Sequence, residues 1–232
     1  MSACYIMKIE DQTEQQSRSD TSFIGGVPVL PSDHQIPQCT LCGAEQTFYF
    51  QVAFPPEHVW DGLTMAVFAC TSCAVRGAFI PEMLTGRLHG VEVPKDFLTN
   101  YQTNFRVLVF STHNGIMRND YQMKVKFKRI ELVRSDDPDV EEHKVGGNPN
   151  WILEDETPGS YQGGISMELL LQFLQGYEFE ILTEAPRQME LEWLTTSKPS
   201  EDLFYKLFIQ NQLYFFGTVD QDHPLVYILT QV

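Results

Sequence analysis

Two Cys-x-x-Cys pairs, Cys39-Thr-Leu-Cys42 and Cys70-Thr-Ser-Cys73, bracket a strongly β-like segment and constrain the fold more than any other feature of the chain. Two residues between paired cysteines let the backbone bend until both sulfurs reach one ion. Two such pairs supply the four thiolates of a tetrahedral site. Gly43 follows the first pair, where the bend commonly asks for a positive φ that glycine adopts at least cost. The segment between the pairs reads as two strands. Phe48, Phe50, Val52 and Phe54 alternate at period two until Pro55-Pro56 stops them, and residues 64–69 lead directly into Cys70. The pairs therefore sit at the open end of a hairpin, where a shared ion would close the loop between them.

Other uses of these cysteines fit less well. No secretory leader is visible and the chain has only five cysteines in 232 residues, which argues against a disulfide scaffold. Redox chemistry would want one Cys-x-x-Cys opening a helix, not two flanking strands. A structural zinc ion held by Cys39, Cys42, Cys70 and Cys73 is the expectation, with iron in the same cage as the alternative. Four protein ligands leave no open position for water or substrate, so such a site shapes the chain and performs no chemistry. Cys4 stands alone and reads as a small apolar residue. His34 and His58 lie near the pairs in sequence but are not needed as ligands.

The formal net charge is −15, with a pI near 4.7. Nucleic acid and anionic membranes repel such a surface, whereas a basic protein would be attracted. No stretch approaches the ~18 consecutive apolar residues of a spanning helix. Free thiols and the missing leader point to the cytoplasm.

Along the chain, Tyr5-Ile6-Met7 and the polar stretch through Gln12, Glu14, Gln15 and Gln16 read as a loose arm or edge strand. Residues 80–104, with Pro81, Gly86, Gly90 and Pro94, allow only a short helix. Residues 105–110 form a buried strand. Residues 121–133 alternate, with Lys124, Lys126 and Lys128 on the solvent face of an edge strand, and the phase slip after Arg129 predicts a β-bulge. Five carboxylates and a proline fall in the nine positions 135–143, a composition that resists packing. That places a linker between an N-terminal half, 1–134, and a C-terminal half, 144–232. Further strands are expected at 167–175, 177–182, 189–195, 203–210, 212–217 and 225–231.

The halves match at a single shift of 121 residues. It pairs Gly25 with Gly146, Gly26 with Gly147, Pro28 with Pro149, Pro37 with Pro158 and Gln51 with Gln172. One ungapped offset through five identities suggests an internal repeat. Cys39 then meets Ser160 and Cys42 meets Gly163, so the metal site belongs to one half only. The order Ile24-Gly25-Gly26-Val27-Pro28, Cys39-Thr-Leu-Cys42, Phe50-Gln51-Val52 and Val67-Phe68-Ala69-Cys70-Thr-Ser-Cys73 resembles the bacterial YwqG-like family. It is also similar to the N-terminal part of the programmed-cell-death-two proteins. Lys144-Val145-Gly146-Gly147-Asn148-Pro149, followed by Trp151, Leu171-Gln172-Phe173 and Gln212-Leu213-Tyr214-Phe215-Phe216, extends the YwqG-like pattern through the second half. The resemblance implies a mainly β, duplicated, multi-sheet fold, sandwich- or barrel-like, with few short helices. For the eukaryotic relatives it implies an escort role towards a ribosomal protein.

None of the six histidines, His34, His58, His89, His113, His143 and His223, stands in a catalytic motif, and no serine occupies a nucleophile elbow. The leading functional expectation is a non-enzymatic, zinc-stabilised interaction module, chaperone- or antitoxin-like towards a basic protein. The alternatives are a nucleic-acid-binding zinc protein, and a hydrolase or transferase with its site between the halves where the Gly-Gly-x-Pro loops might meet.

Overall fold

The computed structural model describes residues 3–10, 15–85, 89–193 and 196–232. Among the described residues the protein is mainly β, with several sheets and one short α-helix, Phe97–Asn100. Ten strands form one continuous path. They are β1 (Cys4–Ile9), β2 (Phe23–Ile24), β3 (Thr47–Ala53), β4 (Leu63–Ala69), β5 (Phe105–Ser111), β6 (Lys128–Ser135), β7 (Lys144–Val145), β8 (Ile165–Phe173), β9 (Gln212–Thr218) and β10 (Val226–Gln231). Their order across the sheet is β10-β9-β8-β7-β1-β6-β2-β3-β4-β5, and every neighbouring pair is antiparallel. Exchanging β1–β5 with β6–β10 reproduces that order in reverse. The two sets of five interlock at the middle of the sheet: β6 pairs with β2, and β1 pairs with β7.

The hydrogen bonding repeats as closely as the strand order. Phe23 faces Gln51 and Ile24 faces Phe50; Lys144 faces Gln172 and Val145 faces Leu171. Each long strand shifts register at one place, between Phe48 and Phe50 in β3 and between Leu169 and Leu171 in β8. The Gly25 amide donates to the Tyr49 carbonyl at 2.8 Å, and the Gly146 amide to the Leu170 carbonyl at 2.9 Å. Every pair lies at the shift of 121. The same geometry accounts for a glutamine in each apolar strand. Gln51 Oε1 accepts the Val29 amide at 2.9 Å and Gln172 Oε1 accepts the Asn150 amide at 2.8 Å. Both side chains are buried, and a buried amide persists only when its bonds are made.

Gly25 and Gly146 are glycine because two things are demanded at once. Both take left-handed φ, 57° and 69°, and a Cβ would overlap the Lys126 carbonyl oxygen in one case and the Ala3 carbonyl oxygen in the other. Gly62 has φ 80° but open space around it. Gly146→Ala is therefore expected to lose about 3 kcal/mol, from strain plus overlap, and Gly62→Ala only about 1 kcal/mol from strain. Urea unfolding of the two variants checks this; equal losses would contradict the close approach.

The halves share one apolar core. Phe50 of β3 packs on Phe173 of β8 at 4.8 Å and on Phe215 of β9 at 5.8 Å. Trp60, fully buried, donates its Nε1–H to the Thr218 carbonyl at 2.7 Å and ties the β3–β4 turn to β9. A second, smaller cluster lies on the other face of β3–β4, around Phe23, Phe48, Phe68, Phe110, Tyr121 and Phe127. The acidic stretch 135–143 carries the end of β6 and the loop to β7. Its Pro138 and Val140 carbonyls hold the fully buried Lys144 ammonium at 3.2 and 3.0 Å.

Several local expectations are corrected. Tyr5-Ile6-Met7 lies in β1, which runs down the centre of the sheet and is neither an arm nor an edge; Gln12 and Glu14 fall outside the described residues. β6 contains no bulge, since its register with β1 is unbroken from Ile130 to Ser135. The phase slip after Arg129 marks the point where the strand's partner changes from β2 to β1. Ahead of it, 121–127 touches a ladder only at the Val125–Ile181 bridge. Of the expected strand 203–210, only Phe204–Tyr205 forms. Leu207–Gln210 is a tight turn in which Phe208, Ile209 and Gln210 all take left-handed φ. The expected strand 177–182 shortens to Phe179–Glu180. That at 189–195 is Met189–Trp193, with 194 and 195 outside the described residues, as is Gly86.

Candidate metal centre

The four cysteines meet at the open end of the β3–β4 hairpin. Thr47, the first residue of β3, pairs with Ala69, the last of β4, and Cys70 follows at once. The first knuckle is shaped by its own backbone: the Gly43 amide donates to the Cys39 carbonyl and the Cys39 amide to the Ala44 carbonyl, both at 2.8 Å, with Gly43 at φ 74°. It is anchored sideways by Thr40, whose amide and hydroxyl both reach the Thr103 carbonyl, at 3.0 and 2.7 Å. The second knuckle hangs from the Asn104 carbonyl through the Cys70 amide at 2.7 Å, and from Thr47 through the Thr71 hydroxyl at 2.8 Å. The Met189 amide donates to the Thr71 carbonyl, which brings the second half into contact with the site. Residues 103 and 104 carry no sequence signal for this role, because they act through backbone carbonyls.

The sulfurs stand 3.9 Å apart for Cys39–Cys73, 3.7 Å for Cys42–Cys70 and 3.5 Å for Cys70–Cys73, and all four ligand atoms lie within 4.8 Å of one another. A tetrahedron with sulfur about 2.3 Å from its centre has edges of about 3.8 Å. The quartet is therefore spaced to hold one metal ion. Neither His34 nor His58 joins it. Burial pushes the Cys70 thiol up to about 11 and raises Cys73 further, with help from the neighbouring sulfurs. Burial also opposes ionisation of Cys42, but the Ala44 amide and the other three thiols together bring it below its ordinary value. A cation at the centre reverses the upward shifts, because thiolate is the form it binds.

The other singled-out residues do different things. The two Gly-Gly loops form no common site. Gly25 and Gly26 pack on residues 125–127 and Gln16, whereas Gly146 and Gly147 pack on Ala3, Cys4 and Pro138. Pro28 gives its carbonyl to the Arg118 amide at 3.0 Å. Pro149 and Trp151 border a cleft of about 440 Å³, where the Trp151 ring packs at a tilt against Tyr214, with centroids 4.4 Å apart. The lysine stripe is not a solvated basic face. Lys126 and Lys128 both bind Glu180, at 3.0 and 2.7 Å, and Lys124 lies 3.8 Å from Glu45. A larger cleft of about 860 Å³ runs along β1 and contains His143. Burial lowers that imidazole to about 4, and its Nδ1 already accepts the Leu174 amide at 3.0 Å. A neutral histidine with Nδ1 occupied and the proton on Nε2 is a donor, not a general base.

Fold and site together define a mainly β protein carrying a four-cysteine cluster that can hold a metal ion. Among the described residues no helix is long and apolar enough to cross a membrane. No protein-family model and no curated protein sequence matches the chain.

Proposed function

We propose that this chain is a non-enzymatic protein-interaction module, held in shape by a structural zinc ion on Cys39, Cys42, Cys70 and Cys73, and directed at a basic protein partner in the cytoplasm. The observation that carries the reading is the sulfur quartet itself. All four tetrahedral positions are supplied by the chain, so the ion cross-links β3 to β4 and offers no position for a substrate. Thiolate sulfur favours zinc over harder divalent ions, and iron remains the competitor for the same cage. The net charge of −15 suits a basic partner in an escort or antitoxin-like role. The matched registers support an internal repeat and the YwqG-like resemblance, with the knuckles as an addition to one copy.

The nucleic-acid reading loses support because the lysines at 124, 126 and 128 already face carboxylates. The enzymatic reading loses support because the histidine in the cleft along β1 is committed to a backbone amide.

Elemental analysis of protein purified without added metal is expected to give one zinc per chain. Capture from lysate is expected to retain basic proteins at low salt and release them as salt rises. Absence of both zinc and iron would overturn the metal assignment, and a salt-insensitive or empty capture would overturn the partner class.

A further inference from the structure

We infer that the four-cysteine cluster has a second closed state. Oxidised by a peroxide, it exchanges its ion for two disulfides that cross between the knuckles, Cys42 to Cys70 and Cys39 to Cys73. This rests on the structural-metal reading and adds how that same site responds to oxidant. No substrate is turned over, because the sulfurs oxidised are the chain's own.

Three observations converge on the exchange. The first is contact. Cys42 Sγ lies 3.7 Å from Cys70 Sγ, and Cys39 Sγ lies 3.9 Å from Cys73 Sγ, so the crossed pairing has a close neighbour for each bond. The hairpin has already brought together the ends of the 28-residue stretch from Cys42 to Cys70, so that bridge needs no further loop closure. The second is anchorage that does not depend on the sulfurs. The knuckles hang from consecutive residues, Thr40 from the Thr103 carbonyl and the Cys70 amide from the Asn104 carbonyl. The buried hydroxyls of Thr47 and Thr71 join β3 to the second knuckle at 2.8 Å. These bonds keep the knuckles facing one another without the ion. The third is access. Cys42 is exposed, Cys70 and Cys73 are half-buried and Cys39 is buried, so an oxidant from solvent meets Cys42 first.

The chemistry then balances on the chain's own atoms. The Cys42 thiolate attacks one oxygen of hydrogen peroxide, the O–O bond breaks, hydroxide leaves and Cys42 becomes a sulfenic acid. The Cys70 thiolate attacks that sulfur, the S–S bond forms and a second hydroxide leaves. Two sulfurs are oxidised and one peroxide is reduced to two hydroxides. The chain then offers two thiolates in place of four and loses its hold on the ion. A second peroxide joins Cys39 to Cys73 in the same way. The hairpin end is now closed covalently, and the module keeps its shape.

The test starts from the full metal-loaded chain, treated with graded hydrogen peroxide. A chromogenic chelator follows released metal, and the protein is cleaved after its aromatic residues without reduction and mapped by mass spectrometry. Peptides from the two knuckles are expected to be joined. After one equivalent of peroxide, alkylation is expected to mark Cys39 and Cys73 and to spare Cys42 and Cys70. The oxidised, metal-free chain is expected to melt within about 3 °C of the metal-loaded one, since a disulfide closing a loop of this length stabilises about as much as the ion. A thiol reductant with added zinc should restore the starting form. Disulfides confined within each knuckle, sulfinic acid in place of disulfide, or a melting temperature that falls as far as that of Cys70→Ser would overturn the exchange. Metal content before oxidation separates the two levels. A metal-bearing chain whose knuckles stay unlinked would sink the exchange and spare the structural ion, whereas a chain that holds neither zinc nor iron would sink both.

Discussion

Cys70→Ser is expected to strip the bound ion and lower stability by about 4 kcal/mol, the stabilisation a ligand gives when its free concentration exceeds its Kd a thousandfold. For a chain of this size that is a fall in melting temperature of roughly 10 °C. Chelation of the wild-type protein is expected to do the same, and to add nothing to the variant. The mechanism is specific. An ion in the quartet would tie Cys42 to Cys70 across 28 residues of chain, so its loss would free a loop that the hairpin alone must then hold closed. It would also leave the half-buried Cys70 and Cys73 as neutral thiols packed against one another. The transition is expected to stay single, because Phe50, Phe173 and Phe215 place both halves in one core. Hydrogen exchange should find the loss first at the Gly43, Thr40 and Cys70 amides, whose acceptors belong to the knuckles and to residues 103–104. A variant that melts with the wild type and keeps its protection there would show that the sulfurs are merely neighbours.

What the sequence disclosed and what it hid follow a physical line. β3, β4 and β5 were legible because Phe48 to Ala53 and their partners are long runs rich in β-branched or aromatic residues, with Pro55-Pro56 closing β3 and Cys70 closing β4. The knuckles were legible because ligand spacing is a local property. β2 and β7 were not, since each is two residues long and is extended only because a partner lies on either side. β1 looked peripheral because nothing in Tyr5-Ile6-Met7 states that a strand from the other half will lie beside it. The lysine stripe was misjudged for the same reason: Glu180 stands 52 residues from Lys128 and only the fold brings it there. Ile209 in a left-handed turn runs against its own preference, and only packing, with Phe208 buried on Phe105 at 5.3 Å, holds it. The repeat was visible at five identities, yet its meaning was not. Gln51 and Gln172 needed the bonded amides of Val29 and Asn150 to explain them.

Acid is expected to weaken the fold through two histidines well before the carboxylates titrate. His58 and His143 are both held at about 4 by burial, which for His58 the Leu170 carbonyl offsets only in part. In the unfolded chain each takes a proton near pH 6.5. Between 6.5 and 4 the unfolded state therefore binds more protons than the folded one, and stability falls as pH falls through that window. It is flat above it, and the loss is complete below it. Each histidine contributes about 2 kcal/mol of loss between pH 7 and pH 5, so the pair removes about 4 kcal/mol. The bonding explains why neither ring tolerates the charge. Nδ1 of His58 accepts the Trp60 amide at 3.0 Å and Nδ1 of His143 accepts the Leu174 amide at 3.0 Å. An imidazolium has a proton on both nitrogens, so each contact would set donor against donor. His58 is further enclosed by Phe54, stacked at 4.5 Å, and its Nε2 has no well-aligned hydrogen bond, so the nearby Leu170 carbonyl rewards the charged form only weakly. Relief of the −15 charge acts the other way, but it begins only as carboxylates protonate below about pH 5. Urea unfolding at pH 7, 6 and 5 measures the slope. His143→Gln, whose carbonyl can still accept the Leu174 amide, should halve it. The slope should also persist in Cys70→Ser, where no ion remains to be lost to acid. Stability unchanged from pH 7 to pH 5 in that background would mean that both imidazoles charge in place, and that the bonds to Trp60 and Leu174 do not fix their protonation.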